Sequence, residues 1–85
     1  MSMRISKNAL RKAIRHGLKE KEILFILQNG KSRRVTRGAL LTYIPENKIE
    51  DNKYLTKYSG IYVIHDEETV IEIFRNKDFR IKNIA

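Results

Sequence analysis

The chain has no cysteine, no tryptophan, one proline and only two histidines among its 85 residues. Without cysteine there is no disulfide framework, no thiolate zinc site and no cysteine nucleophile. His16 and His65 are too few for a histidine-based metal site, so neither a metal nor a cofactor is expected. The longest apolar run, residues 23–27 (ILFIL), is five long, far short of the ~20 that a membrane span needs. The opening Met1-Ser2-Met3-Arg4 lacks the apolar core of a signal peptide, and the expectation is a soluble, cytoplasmic protein with no membrane role. No Walker loop, GxGxxG, HExxH, EF-hand loop or nucleophile elbow occurs. Nucleotide-dependent chemistry, zinc proteolysis and acyl transfer are therefore set aside.

What is abundant is positive charge. Eighteen Lys/Arg face ten Asp/Glu, a net charge of +8, and the pI is about 10.0. The charge is also uneven. Residues 1–44 carry a balance of +9, residues 45–74 one of −4, and residues 75–85 one of +3. Such asymmetry points to a basic face built from both ends of the chain and aimed at a polyanion. The plainer reading is a solvated, Lys-rich surface. Hydrophobic residues at 41% suffice for one small core, so residues 1–85 are expected to form a single domain.

Periodicity divides the chain into helices first and strands after. Ser6 is a good N-cap, and Ala9, Leu10, Ala13 and Ile14 fall on one apolar stripe. At about 100° per residue, Lys7, Arg11, Lys12 and Arg15 take the opposite arc, with Asn8 among them. Gly17 then suits a helix C-terminus. A second helix over residues 19–29 carries the broad apolar face Ile23, Leu24, Ile26 and Leu27, with Glu20 and Glu22 in its first turn, and Asn29-Gly30 ends it. From there the period becomes two. Residues 32–36 read as a weak basic strand, Arg37-Gly38 as a turn, and residues 39–44 as a strand halted by Pro45. Ile61–His65 and Thr69–Arg75 form an antiparallel hairpin around Asp66-Glu67-Glu68. Residues 78–82 offer an edge strand. Ile49, Tyr54, Leu55 and Tyr58 belong either to a short helix or to an irregular packed loop. On the last hairpin strand Ile71 and Ile73 form the expected core-facing set, because Glu72 resists burial. The predicted fold class is α+β: two N-terminal helices packed on one face of a four- to five-stranded antiparallel sheet, the other face open.

Residues 5–30 (ISKNALRKAIRHGLKEKEILFILQNG), GALLTYI and YVIHDEETVIEIFRNKDFRIK resemble a family of small bacterial and phage proteins of unknown function. Those open Ser-Lys-His-Ala, continue through an Arg-rich helix and an Arg-Gly-Ile turn, and close on a hairpin of Val-Ile-Thr type. The resemblance covers about 60 positions in the same order, residues 45–59 aside. The family is similar to the barnase–colicin–RelE-like group, in which two helices precede a four-stranded antiparallel sheet and many members cut RNA. The resemblance thus implies RNA binding or a toxin-like, metal-independent ribonuclease, by analogy of fold. This chain departs from the pattern: Asn8 stands where the family has His, and Glu72 where it has Thr. If that His is catalytic in the family, this member is weakened or inactive.

Metal-free RNA cleavage needs a base, an acid and cations for the phosphorane. The catalytic candidates are His65 and Glu72 as base or acid, with Arg75 as phosphate clamp. The nucleic-acid-binding candidates are Asn8, Arg11, Arg15, Arg33, Arg34, Arg37, Arg75 and Arg80. Of these Arg33, Arg34 and Arg37 form the most site-like knot, since guanidinium groups so close repel unless an anion sits between them. Tyr43, Tyr54, Tyr58 and Tyr62 are candidates to stack bases, or else to fill core and rim. Duller readings stand beside these: His65 as an exposed turn-flanking residue, His16 as a helix-dipole complement, Glu72 as a solvated cross-strand partner. The leading expectation is an RNA-binding domain of RelE-like type, either a ribonuclease or a non-cleaving relative. The alternative is a protein-interaction or inhibitor module using its basic face on an acidic partner. Whether an acidic antitoxin caps that face, or an edge strand dimerises, the sequence leaves open.

Overall fold

The computed structural model describes residues 3–36 and 38–75. The elements in chain order are β1 (Arg4–Ile5), α1 (Lys7–Arg15), α2 (Glu20–Asn29), β2 (Lys31–Thr36), β3 (Ala39–Tyr43), α3 (Glu46–Asp51), a 3-10 helix (Lys53–Tyr58), β4 (Ile61–His65) and β5 (Thr69–Arg75). The five strands form one sheet in the order β1-β5-β4-β3-β2. The class is α+β as expected, but the sheet is mixed: β1 runs parallel to β5, pairing Arg4 with Thr69 and Ile5 with Val70. The expectation of a wholly antiparallel sheet is corrected by a strand of only two residues, too short to show any alternation. The anticipated strand at residues 78–82 lies outside the described residues, as do Arg37 and Arg80. No described helix is long and apolar enough to cross a membrane.

Ser6 both starts α1 and ties it to the sheet. Its hydroxyl accepts the Ala9 N–H at 3.1 Å and donates to the Ile71 carbonyl at 3.2 Å. Ala9 and Ala13, one turn apart, are fully buried. Their small side chains let the helix backbone come close to its neighbours. Ile14, expected on the same stripe, is instead 65% exposed. Gly17 takes φ +76 just past the helix end, the left-handed conformation that glycine adopts without penalty. In α2 the Glu22 carboxylate reaches back to the Lys19 N–H at 2.8 Å, supplying the cap that Lys19 cannot.

Gly30, which closes α2, has an extended backbone with φ −87. A Cβ there would lie 2.5 Å from the Tyr43 carbonyl oxygen and 2.7 Å from that of Ile26. The residue is small because two backbones pass, not because of a left-handed turn.

The core joins Ala9, Ala13, Leu18, Ile23 and Ile26 to Ile61, Val63, Val70 and Ile73, with Ile44, Ile49 and Tyr58 closing it. Each fully buried aliphatic side chain contributes about 1.5–3 kcal/mol of transfer free energy. Residues 45–59 supply Ile49 and Tyr58 from two short helical turns, and Tyr58 stacks on Phe25 of α2 with ring centroids 5.4 Å apart.

A β-bulge decides which face each β5 residue occupies. Ile64 pairs with Glu72 but the next residue, His65, pairs with Val70, so Ile71 is the extra residue. Val70 and Ile73, three apart, are therefore both fully buried, while Ile71 is 44% exposed. The expected Ile71/Ile73 pair holds for Ile73 only.

Candidate nucleic-acid interface

Cationic side chains gather at both sides of the sheet. On α1, Lys7, Arg11 and Arg15 recur every fourth residue and are exposed. Lys12 turns toward β5, where its ammonium lies 2.9 Å from Glu72 Oε2. Asn8 Nδ2 approaches the other oxygen of the same carboxylate at 3.5 Å. Both charges stay about a third exposed, so the pair adds little stability. Beside it sits His16, half-buried at the end of α1. Burial, and then the charges of Arg75, Arg15 and Lys12, hold its imidazole pKa below the usual value of 6.5. Arg15 and Arg75 thus both act electrostatically on His16. Arg75 is further held by a hydrogen bond from Nη2 to the Lys57 carbonyl at 3.2 Å.

At the other side β2 is the last strand in the sheet order, and Lys31, Ser32, Arg33 and Arg34 are all exposed. Among the described residues the ion pairs are Lys12–Glu72 and Lys57–Glu22, and neither involves a β2 cation. Three strand spacings separate β5 from β2, about 14 Å.

Cross-strand partners share a face, so the register shows what lies between. One row begins with Lys31 opposite Tyr43 on β2–β3 and ends with Tyr62 opposite Phe74 on β4–β5. Its rings touch in series, Tyr43–Tyr62 at 5.6 Å and Tyr62–Phe74 at 5.4 Å. The next row runs Arg33, Leu41, Ile64, Glu72. Burial, followed by the charges of Tyr43 and Glu46, raises the Tyr62 phenol above its ordinary pKa. None of these residues belongs to the main core cluster, although Leu41 is buried on this face at 1% exposure. They form a face with cations at its β2 edge, Lys12 and Asn8 near its β5 edge, and stacked aromatics across the middle. Of the other candidate tyrosines, Tyr54 is 90% exposed and Tyr58 is in the core.

The three catalytic candidates do not meet. Glu72 is on the face just described, opposite Ile64, whereas His65 shares the core-facing side with Val70. Arg75 pairs with Ile61 at the far end of β4 from His65, four residues or about 13 Å along the strand. His65 is not an exposed turn residue either: it is 6% exposed, its Nε2 is 2.6 Å from Thr42 Oγ1 and its Nδ1 is 2.8 Å from the Asp66 carbonyl. Asp66 in turn caps the hairpin, its carboxylate accepting the Glu68 and Thr69 N–H groups at 2.7 and 2.6 Å. Those bonds hold its pKa below the usual carboxylate range. The partner of Glu72 is the helix residue Lys12 rather than a cross-strand cation. Sequence reasoning missed Lys12, Thr42 and Ser32 as polar partners, because helix rotation and strand register had first to be known.

Two adjacent open hollows lie between the hairpin turns. One, of about 380 Å³, is lined by Gly38, Asp66, Glu67 and Glu68, and the other, of about 270 Å³, by Arg34, Gly38, Ala39, Leu40 and Glu67. Their acidic lining makes them poor polyanion sites, and they lie away from Arg15 and Arg75. Comparison of the chain with protein-family models, with curated proteins and with solved structures returns no match.

Proposed function

We propose that this chain is an RNA-binding domain of the RelE-like kind that holds single-stranded RNA without cutting it. The observation that carries the reading is the row of rings Tyr43, Tyr62 and Phe74 with the exposed Lys31 and Arg33 of β2 on the same face. Bases stack on aromatic side chains with little sequence preference, at about 1–3 kcal/mol per base, while Lys and Arg track the phosphates. Binding without cleavage is favoured because a base on one face and an acid on the other cannot serve one phosphodiester.

The test is anisotropy of a labelled single-stranded RNA titrated at several salt concentrations. Affinity should fall linearly in log–log form, with a slope near −0.7 per phosphate contacted, and the RNA should be recovered intact. Tyr43→Ala with Tyr62→Ala should weaken binding without changing that slope. An acidic protein partner would respond to the cations but not to loss of the rings. A slope near zero refutes the reading.

A further inference from the structure

A line of hydroxyls runs from the surface of β2 to a buried imidazole. Ser32 Oγ lies 2.7 Å from Thr42 Oγ1, which lies 2.6 Å from His65 Nε2. Thr42 is fully buried and His65 nearly so, while Ser32 is exposed on the sheet's last strand. The direction of each bond follows from the inner end. The Asp66 carbonyl can only accept, so His65 Nδ1 at 2.8 Å carries a proton; in the neutral form of the ring, Nε2 is then the acceptor. Thr42 must then donate to Nε2, which leaves its oxygen to accept from Ser32. Ser32 has its proton committed inward and its lone pairs turned to solvent.

We propose that Ser32 is a nucleophile activated through Thr42 by His65, and that it accepts an acyl group from a donor with an anionic leaving group. As Ser32 Oγ forms its bond to the carbonyl carbon, its proton passes to Thr42 and the Thr42 proton passes to His65 Nε2. The carbon–oxygen bond to the leaving group breaks, with the electron pair going to that oxygen. Imidazolium forms with its Nδ1–H still on the Asp66 carbonyl, and its extra proton returns to solvent afterwards. This is the nucleophile–base–orienter logic of covalent catalysis with a hydroxyl inserted between the first two members. The donor class follows from the flanking charges. Arg34 lies on the same face of β2 as Ser32, two residues or about 6.6 Å along, with Lys31 and Arg33 on either side of Ser32. These cations favour an anion as the departing group, whereas the attacked carbon is itself uncharged. The missing nucleophile-elbow motif excludes only the strand–turn–helix form of such a site; Ser32 is held by cross-strand register instead. Ser32 is the catalytic residue here, and Thr42 and His65 are positioning residues acting through it.

The probe is acetyl phosphate. After incubation the protein is cleaved at glutamates to give residues 23–46, and acetyl groups are located by mass spectrometry. Hydroxylamine, which removes esters and spares amides, distinguishes Ser32 from Lys31. Ester at Ser32 should form on the order of a hundredfold faster than on a synthetic 23–46 peptide, in which no relay exists. It should be absent in Ser32→Ala, fall to the peptide's rate in Thr42→Val and His65→Gln, and persist in Thr42→Ser. Equal rates in protein and peptide overturn the proposal whether or not the variants fold. Ester formation undiminished in folded Thr42→Val overturns the relay, and phosphoserine in place of acetylserine overturns the acyl assignment.

Discussion

Replacing Thr42 by valine removes one hydroxyl from the middle of a three-member chain and keeps the shape of the side chain. The lost oxygen lies 2.6 Å from His65 Nε2 and 2.7 Å from Ser32 Oγ. Ser32 is exposed and turns to water at little cost. His65 is only 6% exposed, and a buried acceptor left without a donor costs about 1–3 kcal/mol. Burying a methyl where the hydroxyl stood returns about 0.8 kcal/mol, leaving a net loss of about 0.2–2 kcal/mol. Against a total of about 4–13 kcal/mol for a domain of this size, the variant stays folded. Its melting temperature should drop by about 1–16 °C. Urea unfolding of Thr42→Val, His65→Leu and the double variant completes the cycle. In the His65→Leu background the valine should cost nothing, giving a coupling energy of up to about 2 kcal/mol. An equal penalty in both backgrounds would show that the hydroxyl and the imidazole are not partners.

Gly30→Ala suits the local φ, yet its Cβ would press on two backbone carbonyls at 2.5 and 2.7 Å; a loss of about 2–3 kcal/mol is expected in urea unfolding. Glu22 accepts the Lys19 N–H and the Tyr58 hydroxyl and pairs with Lys57. The Lys57 bond and then the Lys19 bond hold its pKa below the usual 4.5. Its stabilising contribution is therefore complete above about 4.5 and is lost as pH falls through the lower folded value. Glu22→Gln should flatten that acid limb in pH-dependent melting curves, and an unchanged limb would contradict the assignment. Lys31→Ala with Arg33→Ala, the two β2 cations on the aromatic face, should reduce the salt slope of RNA binding by about 1.4, as read by anisotropy.

The sequence made most of the local structure legible and little of the site. Ser6 as N-cap, the α2 core face and the β4–β5 hairpin follow from periods of 3.6 and 2, which survive without tertiary knowledge. The parallel strand β1 does not, because two residues carry no period and its partner lies more than sixty positions away. The bulge at Ile71 reverses face assignment on half of β5, and no residue there announces it. That reversal puts Val70 in the core, while His65 and Glu72 lie on opposite faces by plain alternation, since Glu72 pairs with Ile64, the neighbour of His65. Arg15 and Arg75, named from charge alone, both act on the His16 imidazole. Their neighbour His16, read as a dipole complement, gained its interest only from the cations placed around it.

That cationic neighbourhood also supplies the most direct test of RNA binding across the sheet face. His16 titrates as a reporter, since Arg75, Arg15 and Lys12 all depress its pKa. Its ring protons should be followed by NMR against pH, with and without a single-stranded RNA, together with the ring signals of Tyr43, Tyr62 and Phe74. In the free protein the midpoint should lie below 6.5. With RNA bound, phosphate charge should move it upward while the three aromatic residues shift together. Saturating RNA that leaves the His16 midpoint and those ring signals unmoved would contradict the account.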